Sequence, residues 1–180
     1  LGTDEFGRDM LSRILHGSRL TLMIGATAVG ISLSTGMFIG LIAAYRKGIL
    51  EQILMRGTDV LFSFTETLIA LSCVAVLGPS LENAVIAVGI AGIPYYARIC
   101  YSAALVESSK PYFEACIACG AGHFRLIVYH LLPNVLPTMI VVSTLGVSTA
   151  ILAAAGLSFL GLGAQPPLPE WGYMLSLIHI

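Results

Sequence analysis

Charge is what this sequence has least of. Of its 180 residues, 11% are charged and 57% are hydrophobic, whereas a soluble domain carries about a quarter charged residues. A chain so poor in charge cannot clothe a globular surface, and a membrane environment follows. Lysine occurs only at Lys47 and Lys110. Neither closes a Gly-Lys-Ser/Thr loop, which excludes an ATP cradle of that kind. A net charge of -1 leaves no basic domain to attract nucleic acid. H-E-x-x-H and G-x-S-x-G are both missing. The four histidines, His16, His123, His130 and His179, are scattered. No catalytic residue, metal site or cofactor is expected, and the chain is not read as an enzyme.

Cysteine is also scarce, with four in the chain. Cys73 and Cys100 lie in apolar runs, where a free thiol packs as a small hydrophobe. Cys116 and Cys119 form one C-x-x-C, without a second pair or a histidine at zinc-finger spacing. They read as two small residues on neighbouring helical turns. Residue 1 is Leu, so the chain is expected to begin inside a longer protein.

What is present is apolar sequence in long runs. Residues 1–19 are polar and mixed in charge, and form an external amphipathic segment. Within it Asp9 caps a short helix with Met10, Leu11, Ile14 and Leu15 on one face, Arg13 opposite, and Gly17 as its stop. The next 26 residues, 20–45, carry no charge. As a helix they reach about 39 Å, enough to cross a hydrocarbon core of about 30 Å. Gly25, Gly30, Gly36 and Gly40 offer small patches for close helix approach. Further spans are expected at 57–77, 83–105 and 131–160, the third bent by Gly89, Gly92 and Pro94.

The second span holds Asp59 and Glu66. A carboxylate at mid-membrane is costly and marks a functional site by default; Glu66 nearer an interface is the plainer alternative. Seven residues apart on one helix, the two share a face about 10 Å apart. They are weak as an acid–base pair and admissible as a cation or proton relay. Arg98 joins Tyr95, Tyr96 and Tyr101 as interface trim. Counting Arg98, Lys110 and Arg125 in one loop and Arg46, Lys47 and Arg56 in another makes both loops cytoplasmic.

The longest polar interruption is residues 107–130. Pro111 suits a helix start and Glu114 its positive end. Gly120 and Gly122 break the helix, and Leu132-Pro133-Asn134 turns the chain back into the membrane. Two short helices with a glycine elbow give a partner something to grip, where a plain connector needs fewer residues.

Glu114-Ala115-Cys116, then Gly120, then His130-Leu131-Leu132-Pro133 resembles the EAA loop of binding-protein-dependent permeases, the membrane subunits of type I ABC importers. Residues 1–22, LFSF at 61–64, LGPS at 77–80, YAR at 96–98 and LSFLGLGAQPPLPEWGYML at 157–175 resemble the "C" subunit of the dipeptide/oligopeptide/nickel branch. The likeness covers residues 1–175. It departs where Ile117 replaces a basic residue, Thr65 a proline and Tyr101 an arginine. After Leu175 the chain no longer follows the pattern, and 176–180 reads as a truncated or non-native end.

The resemblance implies an all-α integral membrane fold, a type I importer helix bundle with four spans in 20–175. It implies a permease subunit that couples ATP hydrolysis in partner ATP-binding subunits to the import of di- or oligopeptides. It further implies a second permease subunit and an external substrate-binding protein, in a bacterial or archaeal plasma membrane. Tyr112, Glu114, Ala115, Gly120, Ala121, Leu132, Pro133 and Asn134 are expected to dock the ATPase. Asp59, Glu66 and Arg98 are candidates for the translocation path. The rival reading is an ion-coupled secondary transporter using Asp59 and Glu66.

Overall fold

Apolar runs without partners for their backbone groups must close those bonds internally, and helices are the result. The computed structural model describes residues 2, 9–164 and 168–176. It contains α1 (Met10–Tyr45), α2 (Ile49–Phe62), α3 (Glu66–Leu77), α4 (Leu81–Ser108), α5 (Pro111–Ala118), α6 (His123–Arg125), a π-helical segment (Leu126–Leu131), α7 (Leu132–Phe159) and α8 (Trp171–Ser176). No strand occurs among the described residues. Three helical stretches, Met10–Tyr45, Leu81–Ser108 and His123–Phe159, are long and apolar enough to cross a membrane. A fourth crossing results if α2 and α3 count as one broken span.

Two expectations change. Asp9 does cap α1, its Oδ2 accepting the Ser12 N–H at 3.0 Å, but Gly17 does not stop the helix. It sits inside α1, at a place where a Cβ would lie 2.8 Å from the Pro169 carbonyl oxygen. The run 57–77 is not one helix but breaks at Ser63–Thr65. The Ser63 hydroxyl donates to the Val60 carbonyl at 2.6 Å, a local bond that competes with helix continuation. Glu66 then opens α3, where a carboxylate suits the positive helix end. α4 runs unbroken through Gly89, Gly92 and Pro94, where the bend was expected. The non-native end expected at 176–180 lies, apart from Ser176, outside the described residues.

The chain divides into two units, each taking part of the long helices. The first comprises 1–30, 66–91 and 146–180. Here Gly25 brings α1 against α7, since a Cβ would meet Ile151 Cγ1 at 2.6 Å. Gly172 does the same for α8 on Ala155, and Trp171 Nε1 donates to the Ile14 carbonyl at 3.1 Å. Buried Glu170 caps α8 by accepting the Tyr173 N–H at 2.9 Å.

The second unit comprises 31–65 and 92–145. At Gly40 a Cβ would lie 2.6 Å from the Ala97 carbonyl oxygen, and at Gly36 2.9 Å from the Ala97 nitrogen. These are backbone atoms that cannot yield, so α1 and α4 approach through glycine, the contact that lipid-embedded helices favour. Gly30, in the first unit, has nothing within 4 Å of a Cβ built on it.

Candidate functional site: the connector between α4 and α7

The segment between α4 and α7 lies wholly within the second unit. Pro111 occupies the first turn of α5 after an extended Lys110, as its fixed φ favours. Phe113, 4% exposed, anchors the helix. α5 ends in a Schellman closure. Gly120 N–H donates to the Ile117 carbonyl at 2.9 Å and Ala121 N–H to the Cys116 carbonyl at 3.1 Å, with Gly120 at φ 77°. That left-handed position is the one glycine fills without penalty.

The return to α7 passes through the π segment. Pro133 has no N–H to give the Tyr129 carbonyl, and the Leu132 N–H bonds Ile127 five residues back. Leu126 and Leu131 of this segment are buried, so the irregular turn is held by packing.

Side-chain hydrogen bonds tie this connector to the ends of three long helices. Tyr45, the last residue of α1, pairs its hydroxyl with His123 Nδ1, with their rings edge to face at 5.6 Å. Near the end of α4, Glu107 accepts from Lys110 Nζ at 2.6 Å and from the Tyr112 hydroxyl at 3.1 Å. In the first turns of α7, Asn134 Nδ2 donates to the Tyr112 hydroxyl at 3.2 Å and to the His130 carbonyl at 2.6 Å. The bond to Glu107 raises the Lys110 pKa. Burial, and then the bond to Glu107, raises that of Tyr112.

The remaining docking candidates fall in three places. Glu114 and Ala115 are exposed on α5, and Ala121 is half-buried after Gly120. Leu132 is half-buried and Pro133 exposed at the start of α7. Around them Ile117, Phe124 and Tyr129 are exposed by 53%, 76% and 69%, an apolar face on a segment otherwise rich in polar contacts. Cys116 and Cys119 sit on neighbouring turns as free thiols, Cys116 Sγ 3.9 Å from His130 Nδ1.

The path candidates are not one cluster on one helix. Asp59 lies on α2 and Glu66 opens α3 beyond the break, so their seven-residue spacing does not give a shared face. Arg98 does not belong to the loop after the third span. It lies ten residues inside the end of α4, which removes it from the loop charge count. Its Nη2 meets Asp59 Oδ1 at 2.7 Å with both side chains about half exposed, and its guanidinium lies 5.4 Å from the Phe62 ring centre. Sequence reasoning missed Glu107, Tyr45 and His123. The three-residue spacing of Glu107 and Lys110 was a usable signal; the approach of Tyr45 to His123 had none.

Residues 36–179 match the model of a family described as the binding-protein-dependent transport system inner membrane component. The chain belongs to this family. It is 47% identical over 176 residues to the di/tripeptide transport system permease protein DppC of Pseudomonas aeruginosa, covering 98% of this chain and 58% of that protein. It is 42% identical to the glutathione transport system permease protein GsiD of Pectobacterium atrosepticum, with the same coverage. The chain thus spans under two thirds of the length of these relatives. A chain of the MetNI methionine ABC transporter, solved in inward-facing conformations, shares its fold. The TM-score is 0.75 at 18% identity, over 94% of this chain and 90% of that one. The all-helical, type I importer permease architecture expected from the resemblance is therefore the one found. Within this family the ion-coupled reading is not favoured, and the bond between Asp59 and Arg98 also counts against it.

Proposed function

We propose that this chain is membrane-embedded sequence of a permease subunit in an ATP-driven importer of short peptides. Its connector would receive the motion of a separate ATP-binding subunit. One observation carries the reading: a two-helix connector on a family-typical permease fold is hydrogen-bonded to the ends of α1, α4 and α7. A push on α5 therefore has somewhere to go. A partner can do no more than stabilise one arrangement of these helices over another. Tyr112, Glu114, Ala115, Gly120, Ala121, Leu132, Pro133 and Asn134 form the docking and transmission segment, and Asp59, Glu66 and Arg98 face the path. The further partners are a second permease subunit and an external substrate-binding protein, in a bacterial or archaeal plasma membrane. The names of the relatives, for di/tripeptides and for glutathione, support a short-peptide substrate.

Glu114 is exposed and free to meet a partner, which makes Glu114→Lys the direct test in the full-length protein with its partner subunits. Uptake of labelled dipeptide should fall at least tenfold while the ATP-binding subunits still hydrolyse ATP. Uptake at the parent rate would sink the reading.

A further inference from the structure

Three elements meet at a single oxygen, the hydroxyl of Tyr112. The residue belongs to the first turn of α5. Its hydroxyl donates to Glu107 of α4 and accepts from Asn134 of α7. The direction of this relay is fixed by chemistry. A carboxylate only accepts and an amide N–H only donates, so the phenol's one proton goes to Glu107 and its lone pair to Asn134. The same Asn134 amide also holds the His130 carbonyl in the π segment. Such π turns are frequent at functional sites.

We propose that the Tyr112 hydroxyl is a latch, a positioning group that passes displacement of α5 to α4 and α7 together, with Glu107 as its anchor. The proposal rests on the connector being the ATPase-facing lever. Two further features support it. Beside the latch, a cavity of about 370 Å³ lies between α4 and α7, lined by Val106, Glu107, Asn134 and Thr138 among others. It leaves the two helices room to change their separation without opening packed core. The side-chain contact of Cys116 on α5 with His130 of the π segment is a long one, at 3.9 Å.

The test uses the complete transporter in proteoliposomes. Tyr112→Phe removes both hydrogen bonds and keeps the ring. Peptide uptake should fall at least fivefold while ATP hydrolysis stays within twofold, lowering transport per ATP. Asn134→Leu should do the same, and the double variant should be no worse than either single one. Glu107→Gln leaves one acceptor oxygen for the two bonds that Glu107 accepts, so it should lower transport per ATP as well, by less than Tyr112→Phe. Amide exchange across 112–118 should accelerate in Tyr112→Phe, a readout independent of the ATPase. Unchanged exchange, or an unchanged transport-to-ATP ratio in both Tyr112→Phe and Asn134→Leu, overturns the latch. Failure of the lever reading has a different signature: parent uptake then ignores Glu114→Lys, and the latch falls with it.

Discussion

Gly120 acts through its backbone alone. At φ 77° its conformation is left-handed, and a Cβ there would meet nothing within 4 Å. Alanine should therefore cost only the backbone penalty, about 1 kcal/mol. That corresponds to about fivefold faster amide exchange at Ala121, whose N–H closes the Schellman bond to Cys116. Gly120→Asn should be milder, because Asn tolerates this region better. Exchange as slow in Gly120→Ala as in the parent would contradict the closure. This glycine was legible in the sequence as a helix stop, because a stop is a local property. The partners of Tyr112 were not, since nothing in the spacing of residues 107, 112 and 134 reports which side chains the folded chain brings together. Arg98 is a similar case. Beside three tyrosines it read as interface trim, and only the folded α4 places it against Asp59.

At the scale of elements, long apolar helices were legible because composition averages over many residues. Irregularities were not, because each depends on one or two backbone bonds. The break at Ser63–Thr65 hides within an apolar average, and so does the π segment before Pro133. The π segment makes a sharp prediction. Pro133→Ala returns an N–H to the Tyr129 carbonyl and removes the reason for five-residue bonding. The segment should relax to α-helix, turning the connector by about 100° relative to α7, one residue of helical rotation. Amide exchange at 129–134 should slow, while the bond between Asn134 and Tyr112 is lost and transport per ATP falls severalfold. Parent-like exchange with parent-like coupling would mean that proline is not what holds the π turn. A more stable helix with poorer coupling is the expected combination, because the π turn sets the register in which Asn134 meets Tyr112.

The whole molecule raises the question of what drives the change. Ion coupling needs a carboxylate that loads and releases a cation. Asp59 is held by Arg98 at 2.7 Å, and Glu66 stands on another helix, so neither carboxylate completes the pair that the sequence spacing suggested. In a spanning helix, Arg98 without its partner is the costlier defect. Asp59→Asn should therefore impair uptake severalfold by leaving that charge unpaired, and Asp59→Asn with Arg98→Gln should recover much of the loss. A coupling carboxylate would show no such rescue, because removing the arginine cannot restore a cation site. The energy source separates the readings independently. In proteoliposomes carrying the full transporter, uptake should require ATP on the connector side and change less than twofold when an ionophore collapses the ion gradients. Uptake that survives without ATP and vanishes with the ionophore, together with an unrescued Asp59→Asn, would return the chain to ion coupling. The rescue in the double variant is the more telling half, since it depends on the bond between Asp59 of α2 and Arg98 of α4.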